Sequence, residues 1–225
     1  MALPWLLVLE LVLYAGCFIC GIISAASLTI TQGHFAGRCI LYGSVHLNAT
    51  GQTLTIESSS SPSLCYFVSA ISVFVSIYCF SLILYWLYTS CVDRDAKRQA
   101  ALSINFRSGL NVTLMVCVVV VFFLLVSGCV LRIGREHLCL HILQTLPSLF
   151  SCEEAENKTW ASPYDGSQFS SGLHRAERSV WVNFFFWILI VAVVAVQRRH
   201  GGRFRGPAWN ADETEPFFFH RPSRI

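Results

Sequence analysis

The sequence predicts an all-α membrane protein: a bundle of four transmembrane helices with both termini cytoplasmic and a small β-hairpin in the first extracellular loop. Three observations predict it. Only 13% of the 225 residues are charged and 54% are hydrophobic, against about 25% charged in an average soluble chain, so lipid is the expected solvent. Four charge-poor stretches each reach the roughly 20 helical residues needed to cross a hydrocarbon core about 30 Å thick. Between the first two, apolar and polar residues alternate on either side of the turn-forming Asn48-Ala49-Thr50-Gly51, which is a hairpin pattern.

The elements follow in chain order. Residues 3–28 form the first helix, interrupted only by Glu10, and residues 29–64 the first outer loop. The loop carries the hairpin, with Val45 and Leu47 facing Leu54 and Ile56, and "ESSSSPS" reads as a flexible lead into helix two. Helix two covers 65–91, a cytoplasmic loop 92–107 and helix three 108–131. Residues 132–178 are the second outer loop, opening with a short helix through Glu136–Leu146 that stops at Pro147. Helix four covers 179–196, and 197–225 is a cytoplasmic disordered tail. Inside lipid every backbone group needs an internal partner, so the apolar runs are helices. Trp5, Tyr85, Trp86, Tyr88, Trp181 and Trp187 lie near their ends, where amphipathic rings favour the interface. "SAAS" at 24–27 resembles a signal-peptidase site, but the run is too long and lacks a basic flank, so it is read as uncleaved.

Orientation rests on three signals. Arg94, Lys97, Arg98 and Arg107 crowd the second loop and Arg198, Arg199, Arg203 and Arg205 the start of the tail, whereas the first loop has only Arg38. The third loop opposes this with Arg132, Arg135, Lys158, Arg175 and Arg178. Asn48-Ala49-Thr50 and Asn157-Lys158-Thr159 place one glycosylation acceptor, Asn48 or Asn157, in each outer loop. Asn111-Val112-Thr113 falls near the cytoplasmic end of helix three, out of reach of the glycosylating enzyme. Cysteines supply the third signal: Cys39, Cys65, Cys139 and Cys152 lie in or beside the outer loops, where disulfides persist. Of the three pairings that four cysteines allow, the expected one is Cys39 with Cys65 and Cys139 with Cys152. Cys17, Cys20, Cys79, Cys117 and Cys129 are intramembrane small hydrophobes, and juxtamembrane Cys91 is a palmitoylation candidate.

The net charge of +3, without a basic stripe interleaved with aromatics, excludes nucleic acid as a partner. His137 and His141 share a helix face near Cys139, Glu136, Glu153 and Glu154, but a metal needs about four convergent ligands, so no metal or other cofactor is expected. Nothing matches a nucleophile elbow, P-loop, HExxH or DHHC string, so neither catalytic residues nor enzymatic activity are expected.

Glu10 is the chemical oddity, an intramembrane carboxylate about 10 Å into its helix. It shares a stripe with Tyr14, Cys17, Gly21 and Ser24 that is mostly small and so should face the bundle. Its expected partner is Arg107, with Asn105 or Asn111 as the alternative for a protonated acid. A structural clasp is preferred to an ion pathway. In the tail, Phe217, Phe218 and Phe219 suggest a cytoplasmic adaptor peptide, and Ser223 and Ile225 fit a C-terminal strand-addition ligand. The tail's first arginines should hold anionic lipid of the bilayer.

In "TQGHFAGRCILYG" (31–43), Gly33 and Gly37 lie beyond the apolar run, so they are not a helix-dimer face, and no Lys-Ser/Thr follows to make a phosphate loop. It reads as an exofacial turn leading to Cys39. Together with "SPSLCYF", "LYWLYTSC", "CVLRIGREHLC" and the order of the four outer cysteines, it makes residues 1–196 resemble the transmembrane protein 179 family. That resemblance implies a multi-pass protein of plasma or secretory-granule membranes with no established enzymatic activity. The W-GLW-C-C string of claudins and the CCG string of tetraspanins are missing, so likeness to those proteins is architectural.

Overall fold

A computed structural model describes residues 3–48, 53–92, 99–147 and 150–203. Within them the chain forms α1 (Leu3–His34), β1 (Cys39–Asn48), β2 (Thr53–Ser60), α2 (Pro62–Val92), α3 (Gln99–Thr145), a 3-10 turn (Cys152–Asn157) and α4 (Phe169–Arg203). All four helices contain a span long and apolar enough to cross a membrane: Val8–His34, Pro62–Tyr88, Val112–Thr145 and Phe169–Gln197. Side chains such as Phe74, Ile77, Tyr85, Met115 and Phe122 stay exposed on the bundle surface, as lipid-facing residues must.

In the bundle α1 lies between α2 and α4, α4 packs on α3, and α2 meets α3 only sparingly. The stripe Glu10, Tyr14, Cys17 and Ser24 is buried in this packing. A Cβ on Gly21 would sit 2.8 Å from the Ser72 carbonyl oxygen, so glycine there sets how closely α1 and α2 approach. Just beyond it the Ser24 and Ser72 hydroxyls bond at 3.1 Å, and Ser76 donates to the carbonyls of Ser72 (2.9 Å) and Phe18 (3.3 Å). The "SAAS" stretch is thus the middle of a packed helix.

Every helix runs past its expected bound, and at the cap the added turns of α1, α3 and α4 pack against neighbouring elements. α1 continues for two turns beyond residue 28, with Thr31 and Gln32 buried. It stops at "FAG": Gly37 N–H donates to Gln32 O (2.8 Å) and Ala36 N–H to Gly33 O (3.2 Å), with Ala36 at φ 53° and Gly37 at φ 78°. This paired reversal is a Schellman stop. Gly37 therefore makes the bend, whereas Gly33 is still helical.

α2 begins where Ser61 caps it, its hydroxyl oxygen accepting from Ser63 N–H at 3.4 Å, with Pro62 in the first helical position. α3 is a single helix of 47 residues, and the short helix expected over 136–146 is its last turns. Pro147 follows its end, as expected.

The hairpin is antiparallel, with Val45 opposite Ile56 and Leu47 opposite Leu54. It is longer than the alternation indicated. Glu57–Ser60 belong to β2 and are not a flexible lead: Ser58 faces Ser44, and Ser60 faces Cys39 and donates its hydroxyl to the Cys39 carbonyl at 3.2 Å. Backbone pairing beside a disulfide overrides a serine-rich composition. The register shifts between Cys39 and Val45. β2 gains a further neighbour at Trp160, since Leu54 N–H bonds Thr159 O and Ala161 N–H bonds Leu54 O, each at 2.9 Å. β1 lies along the projecting end of α3, where Gly134 lets Leu41 seat: a Cβ at 134 would meet it at 2.9 Å.

Trp187 departs from its expected place at the interface. It is fully buried, edge-on to Tyr14 and tilted against Tyr78, each at 6.1 Å. The bundle uses this ring as core because Tyr14 of α1 and Tyr78 of α2 both close on it.

Candidate functional site

Two polar assemblies occupy opposite ends of the bundle. The larger is a cap formed where α1 and α3 end and α2 and α4 begin. A disulfide joins Cys39 to Cys65, Cα atoms 5.8 Å apart, and fastens the start of β1 to the first turn of α2. A second joins Cys139 to Cys152 at 5.4 Å and fastens α3 to the 3-10 turn. Between them Phe35, Trp160, Tyr164 and Phe169 form an aromatic cluster with ring centroids 5.3–6.2 Å apart. Arg38 lies over Tyr164 at 5.8 Å.

Polar stitches complete the cap. Arg135 Nε donates to Glu177 Oε2 at 2.6 Å, with Glu177 buried, and ties α3 to α4. Glu156 accepts from Ser171 N–H (2.8 Å) and its hydroxyl (3.0 Å) in the first turn of α4, where a carboxylate is favoured by the exposed N–H groups. His34 Nδ1 lies 3.2 Å from Asp165 Oδ2, and Asp165 N–H donates to His34 O at 3.0 Å. The Ser167 backbone N–H, then the Ser167 side chain and His34, hold the Asp165 carboxyl below the usual carboxylate range. None of these partners was evident from spacing, because they join distant segments. Arg132, Arg135, Arg175 and Arg178 all lie on the projecting ends of α3 and α4, and two are engaged by glutamates: Arg135 by Glu177 and Arg132 by Glu136 at 3.2 Å. A count of loop charges therefore carries little weight here.

The acceptor asparagines sit on the cap's surface. Asn48 is the exposed last residue of β1, opposite Thr53, and Asn157 the exposed last residue of the 3-10 turn. His137 and His141 have rings 6.0 Å apart, with Tyr42 at 6.0 Å from His137, while Cys139 is in its disulfide and Glu136 on Arg132. Among the described residues no group of three or more His, Cys, Asp or Glu is placed to hold a metal.

The second assembly surrounds Glu10, 6% exposed at the opposite end. Its Oε2 accepts from Gln197 Nε2 at 3.1 Å, and Tyr14, Tyr78 and Cys117 lie within electrostatic reach. Gln197 of α4 is a partner that the sequence reading does not name; the available signal is its place as the first polar side chain after the apolar run. The side chains of Arg107, Asn105 and Asn111, the partners expected for Glu10, lie outside the described residues, as do that of Cys91 and the tail with Phe217, Phe218, Phe219, Ser223 and Ile225.

Four membrane-length helices with a disulfide-bearing hairpin at one end define a multi-pass integral membrane protein of tetraspan, claudin-like type. The family description "Transmembrane protein 179/179B Claudin domain" matches residues 6–218, and the chain belongs to that family. It is 54% identical to transmembrane protein 179B of Danio rerio over 228 residues, covering all of both chains. It is 43% identical to transmembrane protein 179B of Homo sapiens over 197 residues, covering 88% of this chain and 85% of that one. No solved structure matches the chain. The match extends the likeness past residue 196 into the tail, and it places the chain under a claudin-domain description despite the missing W-GLW-C-C string.

Proposed function

We propose that the protein is a non-enzymatic tetraspan scaffold or membrane-sorting component of the plasma membrane or an endomembrane such as the secretory granule, with both termini cytoplasmic. The observation that carries this reading is the cap. Two disulfides, an aromatic cluster and a cross-helix ion pair concentrate rigidity at one end, which suits a surface presented to other molecules. On this reading Asn48 and Asn157 carry glycans on the cap. At the opposite end Cys91 takes an acyl chain and the aromatic tail engages an adaptor. Proximity labelling from a tail-fused enzyme tests it. A reproducible set of trafficking or adhesion proteins, lost on deletion of residues 214–225, is expected; labelling of housekeeping proteins alone overturns it.

A second reading, a small transporter or channel accessory subunit, is favoured by the buried Glu10 carboxylate. Tyr14, Trp187 and Tyr78 fill the core close to it, which supports a clasp between α1 and α4. Glu10→Gln keeps an amide for Gln197 while removing the charge. Unchanged delivery with an abolished conductance would favour transport, and reduced delivery without a conductance favours the clasp.

A further inference from the structure

We infer that the seam between α1 and α4, on the cap side, holds the phosphodiester headgroup of a membrane phospholipid. A cavity of about 60 Å³ opens there, lined by Ser27, Thr31 and His34 from α1 and by Gln168, Gly172 and Arg175 around the start of α4, with Ile30 and Phe169 beside them. That volume is far below the roughly 300 Å³ of a drug-sized site and suits a group the size of a phosphate.

Depth points to lipid. In α1 the run from Leu11 to Gly33 carries no charged side chain, and in α4 the uncharged run begins at Ser179, four residues after Arg175. His34 therefore follows the end of the α1 run and Arg175 stands about one helical turn, roughly 6 Å, outside the α4 run, which is the depth of the headgroup layer. Ile30, one turn deeper on α1, is exposed beside the first methylenes of an acyl chain.

The chemistry selects an anion. Thr31 already spends its hydroxyl hydrogen on the Ser27 carbonyl at 2.8 Å, so it offers a phosphate no donor. His34 Nδ1 faces Asp165. The contacts therefore fall to the Arg175 guanidinium, whose planar fork matches two phosphate oxygens, and to the Gln168 amide. The first turn of α4 adds no free donor at Ser171, whose N–H already serves Glu156. The site does not depend on the scaffold reading or on which leaflet it faces.

Native mass spectrometry of the full chain, released from nanodiscs of phosphatidylcholine with a minority of phosphatidylglycerol, tests this. A persistent phospholipid adduct is expected, its affinity falling about tenfold or more in Arg175→Ala, the effect of losing a charge-assisted pair. Arg178→Ala, an exposed arginine on the same helix outside the cavity, should leave it unchanged, and Arg175→Lys should fall between. An adduct that survives Arg175→Ala, or is lost equally in Arg178→Ala, overturns the site. Millimolar inorganic phosphate should not displace the lipid; displacement would make it a free-anion site and overturn the lipid assignment. Thermal unfolding of each variant separates lost binding from lost fold.

Discussion

Ala36 occupies a left-handed backbone position at φ 53°, where a Cβ costs about 1–2 kcal/mol. Ala36→Gly should therefore stabilise the chain by about 1 kcal/mol, read as a raised unfolding midpoint in detergent. Asp165 gives a pH-dependent counterpart. A carboxyl whose folded pKa is depressed contributes stability above its unfolded value of about 3.9 and loses it as pH falls through the folded value. The advantage of the parent over Asp165→Asn in thermal midpoint should hold at about pH 5 and shrink as the pH falls below about 3.9. At this scale the sequence was only partly legible. The oddity of Glu10 and the turn at Gly37 are local properties and could be read. Gln197, Glu177 and His34 acquire roles only when residues 187, 42 and 131 positions away, respectively, come alongside, and no periodicity encodes that.

The elements were more legible than their ends. Lipid demands uninterrupted helices, so four apolar runs become four helices, and α3 shows why the bounds slipped. Hydropathy stops near Leu131, but β1 and α4 keep the next turns packed, with Leu138 and Ile142 buried, and the helix goes on to Thr145. The disulfides are the other device at this scale. Their loops of 26 and 13 residues imply loop-closure contributions of about 3.5 and about 3 kcal/mol. Cys39→Ser and Cys65→Ser should lower the unfolding midpoint equally, the double variant adding nothing further. Cys139→Ser should cost slightly less. A double variant much worse than either single one would mean that the two residues stabilise the cap independently.

For the whole molecule the prediction concerns sidedness. With the cap outside, enzymatic deglycosylation should collapse two mobility steps, Asn48→Gln and Asn157→Gln each removing one and Asn111→Gln none. A parent chain without glycans, or one glycosylated at Asn111, would contradict this orientation. α3 gives the assembly a mechanical property as well. Its 47 residues make a rod of about 70 Å, one end at the loop between α2 and α3 and the other under the β-sheet. Membrane spans answer a change in bilayer thickness by tilting. Because this rod has no joint between the hydrocarbon core and the cap, a tilt of about 10° would carry its far end through about 12 Å, by its length. A change in bilayer thickness that tilts α3 would therefore move the cap with it.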